Sequence, residues 1–223
     1  MAVVAKHECS ECGCEFVEED RFFYWDDKSD ETLDYLYLMM TCHLANGSKI
    51  SGVVGETYCK YCKKHIKIYT ITEFCQDIEN PCKTVMNGIK NHNVKIAEKI
   101  DELKKIKSNS KYEITEEDGS YWIEFSEFEF DYGWDEPTSK KKAIDDALDA
   151  FHEQIGDVIC EYEKYIDANY LVEINREPKE RPGYSEKISC PECGKRIHRF
   201  VNPMEPCPRC GGEIWIGAMM FCD

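Results

Sequence analysis

Four Cys-x-x-Cys pairs constrain this chain more than any other feature: Cys9/Cys12, Cys59/Cys62, Cys190/Cys193 and Cys207/Cys210. Two residues between thiolates let both sulfurs turn inward onto one ion. A glycine after the pair permits the tight turn that such a knuckle needs. Gly13, Gly194 and Gly211 hold that place, and the second pair lacks it. The last two pairs also carry Pro191 and Pro208 just after their first cysteine. Two facing knuckles supply four sulfurs, which makes a closed tetrahedral site. Four knuckles permit three pairings. Proximity favours Cys190/Cys193 with Cys207/Cys210, which leaves Cys9/Cys12 with Cys59/Cys62 across a gap of 46 residues. Cys14, His7 or His65 could replace one of these ligands. Cys14, Cys42, Cys75, Cys82, Cys160 and Cys222 read as small buried apolar residues.

The chain has 14 cysteines in 223 residues, which bears on compartment. No basic-flanked apolar run opens it, and no apolar stretch approaches the ~20 residues of a membrane span. A cytoplasmic location is expected, where thiols stay reduced. The cysteines then point to metal rather than to a secreted disulfide framework.

The formal net charge is −16. Bulk electrostatics therefore oppose nucleic-acid binding, whose affinity comes mainly from Lys and Arg on phosphates. The acid is uneven, however. Residues 112–177 hold about 20 Asp/Glu against 5 Lys/Arg, whereas 83–111 hold 8 Lys against 3 acids.

In chain order, Arg21–Trp25 and Leu33–Leu44 read as strands. Asn46-Gly47 is a hairpin turn, and Lys49–Tyr58 is the return strand. A strand from His65 to Ile71 follows the second knuckle. Asn80-Pro81 opens a helix with the stripe Val85, Ile89, Ile96, Ile100, Leu103 and Ile106. Asn91-His92-Asn93 on that helix lacks the partners of an HNH nuclease. A hairpin follows, turning at Asp118-Gly119, with Ile114 facing Ile123 and Tyr112 facing Phe125. The apolar alternation then slips by one at Phe128, Phe130 and Tyr132, which calls for a bulge or bend near Ser126-Glu127. The other side of this strand is acidic: a solvated face, or one that receives a basic partner. Pro137-Thr138-Ser139 starts a second helix running to about 168, with the stripe Ile144, Leu148, Phe151, Ile155, Ile159, Tyr162 and Ile166. The two stripes can pack on each other or serve a homodimer.

These elements give an α+β chain: two small four-cysteine β modules flanking a long helix–β-hairpin–long helix region. The expected divisions are 1–72, an acidic middle at 73–174, a linker at 175–186, and 187–223. The C-terminal knuckles resemble a zinc ribbon, or equally the rubredoxin metal site, over roughly residues 187–221. That resemblance implies a metal, Zn2+ at two sites with Fe as the alternative, held by the eight paired cysteines. A four-thiolate zinc has no open position, so its role is structural.

There is no Walker loop, Rossmann glycine pattern, H-E-x-x-H motif or βαβ setting for a redox pair, so an enzyme is not expected. The reading that follows is a non-catalytic, zinc-binding adaptor that holds a larger protein assembly. One alternative is a nucleic-acid-associated factor using Lys195, Arg196 and Arg199, with Phe200 or Trp215 stacking on bases. Another is rubredoxin-like electron transfer.

Overall fold

The computed structural model describes residues 2–4, 6–17, 21–35, 49–128, 130–134, 139–174, 186–216 and 220–222. The chain divides into two compact units, Met1–His92 with Asp167–Asp223, and Asn93–Ile166. The first unit is thus built from both ends of the sequence, where the spacing of the knuckles had suggested two separate flanking modules. Its outermost strands, β1 (Ala2–Val4) and β15 (Met220–Cys222), pair antiparallel with Ala2 opposite Cys222. The Asn46-Gly47 turn, the strand reading beyond residue 35 and nearly all of the 175–186 linker lie outside the described residues.

The centre of the first unit is a hairpin of β6 (Ile50–Cys59) and β7 (Lys64–Phe74), whose turn is the second knuckle. Three further strands, β4 (Arg21–Asp26), β5 (Glu31–Tyr35) and β11 (Tyr170–Ile174), extend it to a five-stranded sheet of order β11-β7-β6-β4-β5. Alternation along β7 sends its residues to two different cores. Tyr69 and Ile71 join Phe23, Ile50 and Val54 under Val85 and Ile89 of α1 (Pro81–Asn109). Ile66 and Ile68 face the other way, against Cys59, Ile188, Cys190 and Ile197. A sheet covered on both faces explains why β6 is buried along nearly its whole length and β7 from Ile66 to Ile71 carries apolar side chains on both sides.

Asn80 caps α1, its Oδ1 accepting from the Lys83 N–H at 3.0 Å. The helix sits close on β4 and β5. A Cβ at Gly88 would lie 2.4 Å from Thr32 Oγ1 and 2.9 Å from Trp25, so only glycine allows the approach. Thr32 Oγ1 donates to Val85 O (3.0 Å), Asn91 Nδ2 to Asp30 O (2.8 Å), and His92 Nδ1 meets Glu31 Oε2 at 3.2 Å. The Asn-His pair therefore holds the helix to the β4–β5 turn.

The strand β11 is absent from the sequence-based reading, which ran the second helix towards residue 168. Here α2 (Lys140–Lys164) stops at Tyr165, and Tyr170–Ile174 adds parallel to β7 with Tyr170 opposite Lys67 and Ile174 opposite Ile71. Asp167 anchors the entry to this strand. It accepts from the Tyr69 hydroxyl and pairs with Lys67 Nζ at 2.6 Å.

The second unit is a three-stranded antiparallel sheet, β8 (Tyr112–Glu117), β9 (Ser120–Phe125) and β10 (Phe130–Trp134), covered by α2 and the later turns of α1. Ile114 pairs with Ile123 and Tyr112 with Phe125, as expected. The slip in the apolar pattern is not a bulge. It is a turn after Phe125 that brings Phe130 opposite Phe125 and Tyr132 opposite Ile123. Residues paired across an antiparallel ladder share a face, so an odd series can pass into an even one through a turn.

Phe125 stacks on Phe151 of α2 at 3.9 Å between ring centroids, and Ile100, Leu103, Ala147 and Ile155 complete the core. The α2 stripe and Ile96, Ile100, Leu103 and Ile106 of α1 are used in this cluster, while Val85 and Ile89 serve the core of the first unit, so a homodimer through the helices would have to use other residues. Ser139 caps α2 by accepting from the Lys142 N–H.

Candidate metal centres

The eight paired cysteines form two groups, and they are not paired by proximity. One group is Cys9, Cys12, Cys207 and Cys210; the other is Cys59, Cys62, Cys190 and Cys193. The pairing is nested, the first knuckle with the last and the second with the third, which corrects the expectation of one local site at each end.

Strand pairing is what overrides proximity. β2 (Lys6–Cys9) and β3 (Glu15–Val17) flank the first knuckle, and β14 (Ile214–Ile216) follows the last. β14 pairs antiparallel with β2, Ile214 opposite Cys9, and the Ser10 N–H donates to Glu213 O at 3.0 Å. This lays Cys207 and Cys210 over Cys9 and Cys12. The third knuckle turns between β12 (Lys187–Ser189) and β13 (Arg196–His198), and Ile188 and Ile197 pack on Ile66 and Ile68 of β7. Thr57 Oγ1 donates to His198 O (2.9 Å), and Lys64 Nζ pairs with Glu192 (2.6 Å).

All four knuckles share one backbone design. The residue after the second cysteine donates its N–H to the carbonyl of the first: Gly13 to Cys9 (2.9 Å), Lys63 to Cys59 (2.8 Å), Gly194 to Cys190 (2.9 Å) and Gly211 to Cys207 (2.8 Å). That residue is left-handed in every case, with φ of 62, 57, 70 and 86°. A non-glycine residue in this region is strained by its Cβ. Replacing Lys63 by Gly should therefore raise stability by about 0.5–1 kcal/mol once the extra chain entropy of glycine is offset. The midpoint of urea unfolding of the metal-loaded protein measures this, and no change or a fall would refute it.

The sulfurs are placed for an ion. Cys9 and Cys210 Sγ are 3.4 Å apart, Cys12 and Cys207 3.9 Å, Cys59 and Cys193 3.6 Å, and Cys62 and Cys190 3.7 Å. Tetrahedral Zn–S bonds of about 2.3 Å put sulfurs about 3.8 Å apart, so four thiolates in this arrangement fit such an ion. The distances are far from a disulfide bond, and all eight paired cysteines are free. The first cysteine of each pair is buried, from 0% exposed at Cys59 to 3% at Cys207.

Backbone N–H groups aim at these sulfurs. The Cys12 N–H is the main reason that Cys9 falls to about 7. At Cys59 burial pushes the thiol up, but the N–H groups of Cys62 and Tyr61 more than offset it and leave it at about 7. Burial and the neighbouring sulfurs push Cys62 up to about 12. At Cys210 the Gly212 N–H pulls the thiol down, but Cys9, burial, Cys12 and Cys207 outweigh it and raise it to about 12. Four adjacent thiols cannot all ionise without a cation between them.

The candidate substitutes stand outside both groups. Cys14 is buried, with its Sγ 3.3 Å from His65 Nε2 and receiving Arg209 Nη1 at 3.0 Å. His7 is buried on β2, between Phe16 of β3 and Ile216 of β14 in the ladder. Among the remaining cysteines, Cys75 and Cys82 are half-buried, Cys160 is exposed on α2, and Cys42 lies outside the described residues. The exposed position corrects the expectation that Cys160 is buried.

Of the three expected phosphate contacts, Lys195 and Arg196 are exposed and Arg199 is not. The Arg199 side chain is 4% exposed; its guanidinium pairs with Glu173 at 2.5 Å and Glu186 at 3.7 Å and donates to Thr70 Oγ1 at 2.8 Å. It clamps β11 and the third knuckle to β7. Phe200 is buried and Trp215 is exposed. Compared with family models, curated proteins and solved structures, the chain matches none.

Proposed function

We propose that this is a non-catalytic, zinc-stabilised binding protein that holds a larger protein assembly. The closure of the two four-thiolate groups carries the reading. Each group supplies the full set of ligands for a tetrahedral ion and leaves no position for water or substrate, so the metal's work is to fasten the fold.

A face suited to a partner protein lies on the second unit. On the outer side of its sheet, Trp122 is 47% exposed, and Glu113, Glu124 and Asp131 line up beside it across the three strands. The Trp122 ring lies against Gly133, where a Cβ would approach it to 2.7 Å. An exposed, supported tryptophan ringed by carboxylates fits a basic partner with an apolar anchor.

Affinity purification from the protein's own host tests this. Wild type should recover a stoichiometric protein partner, and Trp122→Ala with Glu124→Lys should reduce recovery at least tenfold with metal content unchanged. Equal recovery by the variant, or no protein partner with wild type, would refute the reading.

A further inference from the structure

A cleft of about 230 Å³ opens on the first unit, lined by residues that border both thiolate groups. Its walls include Tyr58, Lys60 and Tyr61 from the second knuckle, Lys187 and Arg196 from the β12–β13 hairpin, and Pro208 from the last knuckle. Tyr58 packs in the core of the first thiolate group while its neighbour Cys59 belongs to the second, so alternation at the end of β6 places the cleft between them.

Three features of this cleft point to one chemistry. First, it gathers three cations, Lys60, Lys187 and Arg196, against the single carboxylate Glu205, on a protein whose net charge is −16. Second, Lys60, Lys187 and Arg196 are solvent-exposed, and among the described residues no carboxylate lies within ion-pair distance of either lysine. Arg196 is held in place by donating to the Lys187 carbonyl at 3.2 Å. Third, the Tyr61 ring is 56% exposed, with the Lys60 ammonium 5.6 Å from its centroid, so an aromatic surface and a cation stand side by side. Thr57 and Asn202 add hydrogen-bonding groups to the lining. Cations beside an open aromatic ring and polar groups suit a phosphate attached to a flat heterocycle. The overall acidity of the chain opposes a long duplex footprint.

We infer that this cleft binds a phosphorylated nucleoside, with its base on Tyr61 and its phosphates on Lys60, Lys187 and Arg196. The ligand is either a free nucleotide or one unit of a single strand. Of the expected basic residues Lys195, Arg196 and Arg199, only Arg196 lines this cleft; Arg199 is buried, and Lys60 of the second knuckle and Lys187 supply the other cations.

Fluorescence anisotropy of the metal-loaded full chain tests the inference, using labelled rA12 at low salt and unlabelled AMP as competitor. Saturable binding of rA12 is expected, with the logarithm of affinity falling at a slope of about −2 against log salt for three phosphate contacts. Tyr61→Ala should weaken binding about 5- to 100-fold. The double variant Lys60→Glu/Lys187→Glu should weaken it more and flatten the salt slope. Lys99→Ala on the second unit should change nothing. Competition by AMP at matching affinity identifies the free nucleotide as the source, and binding of rA12 alone identifies the strand. The inference is overturned if neither ligand binds. It is also overturned if the cleft variants bind as wild type does, or if a phosphoserine peptide binds more tightly than both. The cleft belongs to the first unit and the acidic sheet face to the second, so a failure here leaves the protein-assembly reading standing.

Discussion

The quadruple variant Cys9→Ser/Cys12→Ser/Cys207→Ser/Cys210→Ser should keep one metal ion per chain where the wild type should keep two. It removes one nested group and leaves Cys59, Cys62, Cys190 and Cys193 complete. Had the knuckles paired by proximity, the same four substitutions would break both sites and leave none. The complementary variant, with Cys9, Cys12, Cys59 and Cys62 changed to Ser, should lose both ions, whereas proximity pairing would spare one. Native mass spectrometry reads each count directly. Tetrahedral Co2+–thiolate absorption confirms that a retained ion sits on four sulfurs. A metal count of zero in the first variant, or one in the second, would overturn the nested arrangement.

Metal removal should unfold the first unit and spare the second. A structural zinc supplies an apparent ~10–16 kcal/mol of folding free energy at neutral pH. That matches or exceeds the whole net stability of a typical domain. In the first unit the knuckles form the turns of β2–β3, β6–β7 and β12–β13, and Cys9, Cys59, Cys190 and Cys207 are part of its cores. Among the described residues, the core of the second unit contains no cysteine. After treatment with a strong chelator, amide protection should collapse in β6 and β7 while Phe151 to Ile159 of α2 stay protected. Uniform loss across both units, or retention in both, would contradict this.

Acid should act in the same direction. Metal-free, Cys62 and Cys210 are held at about 12 and are protonated at neutral pH. Loading must release those protons, so affinity rises with pH and falls as protons compete with the ion.

The knuckles were legible because their chemistry is local: two thiols, two intervening residues and a left-handed position after them. Their pairing was not. Proximity favoured Cys193 with Cys207 over Cys12 with Cys207, which are 195 residues apart. Chain entropy grows only with the logarithm of loop length, so the longer closure costs about 2 kcal/mol more. The β14–β2 ladder and the burial of Ile188 and Ile197 against β7 outweigh that. Helix starts were legible at Asn80 and Ser139 through their caps. The end of α2 was not, because Ile166 continues its apolar stripe beyond the last helical turn. The short apolar stretch of Tyr170, Leu171, Val172 and Ile174 carried the signal for β11, and it mattered because Glu173 on that strand pairs with the buried Arg199.

The nested order also sets a timetable for the growing polypeptide. Cys9 and Cys12 leave the ribosome before the other six ligands, but the sulfurs that complete their site follow 195 residues later. At about 5–20 residues per second, that wait lasts roughly 10–40 s. The second unit, whose residues are contiguous, can finish folding inside this interval, while two half-sites of paired thiols stand open. The outer site is the last to close, so losing the final knuckle would undo the first knuckle as well. A nascent chain stalled before Cys207 would already contain a full inner set of ligands and a bare outer pair.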